Sequence, residues 1–273
     1  MSSLWLWVAL GFYSLGLVHA LVTVVQRPRS AVWFRSALVA FVLGWLFHFV
    51  SLVEHGLTAG RFPGTSIAQA TSLFAFLITL GFLLVYWRYR MTSLSVFAFP
   101  IVFVMTLASV LSQPPAPTVA PILETSWLPI HVSFTLVGYA ALILACLAGV
   151  MYLIQERELK HRKPRAFYHR LPPLDTIDRL GARALAIGFP FITIGILVGT
   201  VGAASAWGPG WVRDPKVMLS ASLWLIYMLL ILSRVGAGWR GHKAALFAIF
   251  GMAMALASWG ANYLSAHHAF LGH

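Results

Sequence analysis

Histidine and tryptophan hold most of the chemistry this sequence can offer. Of its ten histidines, His131 and His268 stand at the ends of apolar runs. Between them in sequence lies the stretch Trp207-Gly208-Pro209-Gly210-Trp211-Val212-Arg213-Asp214-Pro215-Lys216. Two neutral imidazoles on opposite sides of a pocket can take the axial positions of a haem iron. Indole faces such as those of Trp207 and Trp211 can cover a flat, apolar macrocycle. Arg213 and Lys216 can meet its propionates. The same residues also suit an ordinary membrane surface. Tryptophan gathers there because its ring is amphipathic, and Gly-Pro-Gly turns a chain between any two helices. Asp214-Pro215 starts a helix well, with a capping carboxylate and a first-turn proline. His48 falls in the middle of an apolar run. An imidazole in lipid points to function by default, or to a hydrogen bond between helices. For His19 the structural hydrogen bond is the expectation. Glu54 beside His55 can orient that imidazole or meet Arg61.

These residues must be positioned by a very apolar chain. It has 273 residues, of which 60% are hydrophobic and 10% charged, with a mean hydropathy of +0.84. Soluble domains carry about 25% charged residues, so a soluble globule is excluded, as is a disordered chain. The single cysteine, Cys146, excludes a disulfide scaffold and CxxC chemistry within the chain. Eight apolar stretches run from about Leu4 to Val25, Ser36 to His55, Ile67 to Trp87, Leu94 to Leu111, Ile130 to Ile154, Ala184 to Ala204, Val217 to Ser233 and Ala244 to Leu264. Each is near the length of about 20 residues that spans a bilayer as a helix. They show no period-2 alternation, so a barrel is not expected. The expected fold is an all-α integral membrane protein of about eight transmembrane helices, one polytopic domain over residues 1–273. The first stretch lacks a basic leader and reads as a span rather than a signal peptide.

Charge sets the expected orientation. Sixteen of the nineteen Lys and Arg residues fall in one set of alternate loops, and only Arg61, Arg213 and Lys216 in the other. Lysine and arginine collect on the cytoplasmic side, which puts both termini outside the cytoplasm. The net charge of +12 is thus a topology signal, and no nucleic-acid partner is expected. The basic loop from Gln155 to Arg183 can also touch anionic lipid headgroups. Within it, Asp175 and Asp178 suit a helix cap or first turn.

Several stretches together resemble the cytochrome c assembly family of CcsA and CcmC type. WGPGWVRDPK followed by a span ending LSRVGAGWRGHKAAL resembles its tryptophan-rich signature, next span and inner turn. GWLFHFVSLVEHGLTAGRFPGTS, WLPIHVSFTLVGYAAL, YLIQERELK, LPPLDTIDRLGARALAIGFPFITIGILVGTVGA and WGANYLSAHHAF resemble other family segments in the right order. The resemblance covers most of the chain from Gly44 to His268. It implies that Trp207, Gly208, Trp211, Asp214, Pro215 and Lys216 belong to a haem-presenting loop. It implies that His131 and His268 are external axial ligands, with His267 as a neighbour able to substitute. It also implies that His48 is a haem-holding histidine within the membrane. The cofactor implied is non-covalent haem b, and the partners are apocytochrome c and a CcsB-like membrane protein. The site implied is on the periplasmic side of a bacterial plasma membrane.

The sequence departs from the family pattern in places. Arg213 replaces the third tryptophan, Val217 the glutamate, and Leu232 stands near where a second intramembrane histidine would fall. A leucine cannot ligate iron, so an intramembrane haem site would be incomplete or use another group. The shortened DPKV form also resembles the HemX-like branch, which implies the alternative of a membrane protein that regulates haem synthesis by protein contact. Membership of a haem-attachment synthetase is what these departures bear on. The fold expectation is unaffected.

Overall fold

Inside lipid every backbone N–H and C=O must be paired within the chain, and an apolar run does this locally as a helix. A computed structural model describes residues 2–25, 30–112, 125–160 and 171–261. Among these residues there are eight long helices: α1 (Ser2–Val25), α2 (Ser30–Ala59), α3 (Ile67–Tyr89), α4 (Ser95–Leu111), α5 (Trp127–Lys160), α6 (Leu174–Trp207), α7 (Pro215–Gly236) and α8 (His242–Gly260). All eight are long and apolar enough to cross a membrane, as the sequence predicts. The helices outrun the apolar stretches most at α5 and α6. Each has 34 residues, and α6 begins ten residues before the predicted start at Ala184. The extra turns are charged: Glu156 and Lys160 on α5, Asp175, Asp178 and Arg179 on α6. Hydropathy marks where a helix can sit in lipid, not where its hydrogen-bonded ladder stops.

The helices gather into two groups. In the first, formed by α1–α4, α1 lies along α2 and also packs on α4. Close approach comes from glycines facing aromatic rings. A Cβ on Gly16 would stand 2.5 Å from the Phe41 ring, and one on Gly44 would stand 2.7 Å from the Tyr13 ring. Phe41 in turn stacks on Phe99, with Phe82 edge-on to both. Lipid tails are as apolar as leucine, so this fit of ring into notch, rather than a hydrophobic drive, holds such helices together.

In the second group α5 is the central element, antiparallel to α6 along most of its length and packed on α8. Gly149 of α5 meets the backbone of Ala245 on α8. Gly251 of α8 leaves room for the buried Tyr227 ring of α7. Between α6 and α7, the Trp224 indole N–H donates to Thr193 Oγ1 at 2.9 Å, and its ring stacks on Phe189. At the end of this group that bears the α7–α8 turn, Arg234 pairs with Asp178 at 2.5 Å. The Gly241 N–H donates to the same carboxylate oxygen at 3.0 Å. Asp178 therefore does not cap α6. The residue before the helix is Pro173, and Asp175 is the first-turn acid, paired with Arg179.

Candidate functional site

The site is built on the first three turns of α5. Trp127, His131 and Thr135 follow one another at intervals of four and so line one helix face. The facing stripe of α6 is Gly195, Gly199 and Gly202. The two faces meet rung by rung. Thr135 lies against Gly195, His131 against Gly199 and Trp127 against Gly202, each so close that a Cβ on the glycine would collide with the facing side chain. The Trp127 and His131 rings meet edge-on with centroids 6.2 Å apart.

This packing fixes the imidazole. His131 Nδ1 lies 2.7 Å from the Gly195 carbonyl oxygen. A carbonyl only accepts, so Nδ1 bears the proton and donates. In a neutral ring the other nitrogen, Nε2, then keeps its lone pair. Among the described residues no group bonds Nε2. A free Nε2 lone pair with Nδ1–H tied to a backbone carbonyl is the state of a histidine that ligates a metal, so this residue fits an axial role on haem iron.

The tryptophan-rich segment follows directly from α6. Gly208 takes a positive φ of 67°, a conformation glycine tolerates best, and ends the helix. A short 3-10 helix, Gly208–Arg213, leads to α7 and packs on both α6 and α7. Asp214 is buried, and its Oδ1 accepts the Lys216 N–H at 2.9 Å, with Pro215 in the first turn. The carboxylate therefore caps α7. Trp207 and Trp211 are half-buried, while Arg213 is exposed. His131 faces Gly199 and Trp127 faces Gly202, close to where α6 ends at Trp207, so the loop and this histidine share one end of the helix group. His268 and His267 lie outside the described residues.

His48 has a different environment. It is fully buried in the first group. Its Nε2 lies 2.8 Å from Ser72 Oγ of α3, and its Nδ1 lies 3.3 Å from the Tyr13 hydroxyl of α1. Both nitrogens are thus engaged. Leu232, near where a second intramembrane histidine would fall, is 57% exposed on α7. His55 takes its hydrogen bond from the Gln69 amide at 2.8 Å rather than from Glu54 or Arg61. His19 Nδ1 bonds the Leu15 carbonyl of its own helix at 2.7 Å, the structural bond expected of it.

Sequence reasoning missed the glycine stripe, Trp127 and Thr135. The signal was present as W-x3-H-x3-T and G-x3-G-x2-G. Neither spacing means anything until α5 and α6 are known to be partners.

A family model described as cytochrome C assembly protein matches residues 36–267. A cytochrome c biogenesis protein CcsA of Chlamydomonas reinhardtii is 36% identical over an alignment covering 50% of this chain and 37% of that protein. The CcsA protein of Prochlorococcus marinus strain MIT 9515 is 29% identical, with 80% of this chain aligned to 78% of its length. That of strain MIT 9215 is 28% identical, with 92% of this chain aligned to 91% of its length. The family match takes in α3 to α8 entirely and most of α2, and by that extent this chain, with its eight apolar helices, belongs to the cytochrome c assembly protein family.

Proposed function

We propose that this chain holds haem at the extracytoplasmic surface of a bacterial plasma membrane and presents it to an apocytochrome c. The observation that carries this reading is the His131 ring, with its Nδ1–H given to Gly195 and its Nε2 left to accept a metal. The CcsA relatives are named for cytochrome c biogenesis, which supports the same role.

In this reading His131 and His268 are the two axial ligands. Trp207 and Trp211 cover the macrocycle, and Arg213 and Lys216 meet the propionates. Gly208 and Asp214 shape the loop, one by turning it out of α6 and the other by capping α7. Haem b, when bound, supplies the iron and the vinyl groups to which cytochrome cysteines attach. The chain supplies proximity and orientation, which can account for much of the acceleration of a bond-forming step. It supplies no thiol chemistry, because Cys146 is buried within α5. A CcsB-like membrane partner would dock the apocytochrome. His48 is a weaker haem ligand in this reading, since iron at Nε2 would displace the Ser72 bond. A second reading, regulation of haem synthesis by protein contact, is favoured by the exposed Arg213 in place of a tryptophan.

The test is haem content per polypeptide and the Soret band of protein purified in mild detergent. His131→Ala and His268→Ala should each lower haem content at least about tenfold, the scale of losing a metal-site interaction. Wild-type haem content in both variants overturns the assignment. A colourless wild-type protein whose deletion changes tetrapyrrole enzyme levels supports the regulatory reading.

A further inference from the structure

The Gly195 carbonyl and the bare face of Gly199 do more than let α5 and α6 approach. We infer that these two α6 glycines are positioning residues for haem-iron ligation, setting the tautomer and tilt of His131 and so the electron donation from its Nε2. The inference rests on the reading of His131 as an iron ligand and extends it to a helix that contributes no ligand itself.

Three observations converge on it. First, the Nδ1–H of His131 is donated to Gly195 at 2.7 Å across 64 residues of sequence. A donor bond of this kind fixes which nitrogen is free and raises the basicity of the metal-facing one. Second, Gly199 lies four residues on and so one turn along the same face of α6. A Cβ there would collide with Nδ1 and Cε1 of His131 and stand 3.3 Å from Cγ. The ring can reach the Gly195 carbonyl only because residue 199 has no side chain. Third, the slot is closed on both sides. Trp127, fitted against Gly202, stands edge-on to the ring, and Thr135, fitted against Gly195, occupies the next turn. Thr135 Oγ1 is buried without a hydrogen-bond partner among the described residues, so it does not compete for the carbonyl that His131 uses.

The experiment compares wild type, Gly199→Ala and Gly138→Ala. Gly138 lies in the same α5–α6 interface, where a Cβ would press on Ile192, and is two helical turns from His131. It therefore reports packing damage alone. Two readouts are taken. One is the midpoint potential and affinity of bound haem. The other is 15N NMR of histidine-labelled, haem-free protein, which shows which nitrogen of His131 carries the proton. Gly199→Ala should weaken haem binding about tenfold to a hundredfold. It should also move the potential positive, because a less basic imidazole favours ferrous iron, and mix the His131 tautomers. Gly138→Ala should leave potential and tautomer at wild-type values. The inference is overturned if Gly199→Ala keeps the wild-type potential and a single Nδ1–H tautomer, or if Gly138→Ala shifts both as far. Haem-free wild-type protein with a single Nδ1–H tautomer that binds no haem in titration would instead overturn the ligand reading and leave the α6 contact standing.

Discussion

Two imidazoles differ here by a single hydrogen bond. His131 gives one nitrogen to a carbonyl and keeps the other. His48 shares one nitrogen with Ser72 and the other with Tyr13. The His48 network joins α1, α2 and α3 around a fully buried ring, where an unmade bond is costly. Ser72→Ala should therefore lower stability by about 1 kcal/mol, read as a lower thermal midpoint in detergent, with haem content unchanged. His48→Ala should cost more, about 2 to 4 kcal/mol, because it opens a cavity and leaves the Tyr13 and Ser72 hydroxyls without their shared partner. A haem loss in folded His48→Ala matching that of His131→Ala, while Ser72→Ala keeps its haem, would show that His48 belongs to the haem site instead.

At the scale of elements, α6 performs two tasks at its two ends. Near Trp207 its glycines shape the His131 slot and its last turn leads into the tryptophan loop. Near Leu174 its Asp178 holds Arg234 of α7 and the N–H of Gly241 before α8. Both partners of that ion pair are largely buried, at 15% and 16% exposure. Removing one member leaves the other charged and unpaired, which typically costs about 3 to 5 kcal/mol. Asp178→Ala should lower the thermal midpoint accordingly, and Asp178→Ala with Arg234→Leu should recover much of the loss. A double variant as unstable as the single one would mean that the Gly241 bond, not the ion pair, is what Asp178 provides.

For the whole molecule, charge and length decide the placement in the membrane. A helix of 34 residues is about 51 Å long, against a hydrocarbon core of about 30 Å, so α5 and α6 must project beyond the apolar layer. Their charged turns, with Glu156, Lys160, Asp175, Asp178 and Arg179, are at the shared end away from His131. The skewed distribution of Lys and Arg expects that end to face the cytoplasm. In a Cys146→Ser background, Arg213→Cys should react with an impermeant maleimide in intact spheroplasts, and Lys243→Cys only after permeabilisation. The opposite pattern would invert the topology and put the tryptophan loop on the cytoplasmic side.

Eight apolar runs of bilayer length determined an eight-helix membrane fold, because lipid leaves the backbone no other local way to pair its polar groups. The sequence also determined the cap at Asp214 and the turn at Gly208, which depend on neighbouring residues only. Partnership between distant segments was different. That α6 supplies the carbonyl for His131, that Ser72 and Tyr13 close around His48, and that Asp178 reaches Arg234 were decided only by tertiary structure. In a chain that is apolar almost everywhere, hydropathy does not say which face of a helix meets which neighbour. That choice is made by the fit of rings into glycine notches, and the fit exists only once the helices are side by side.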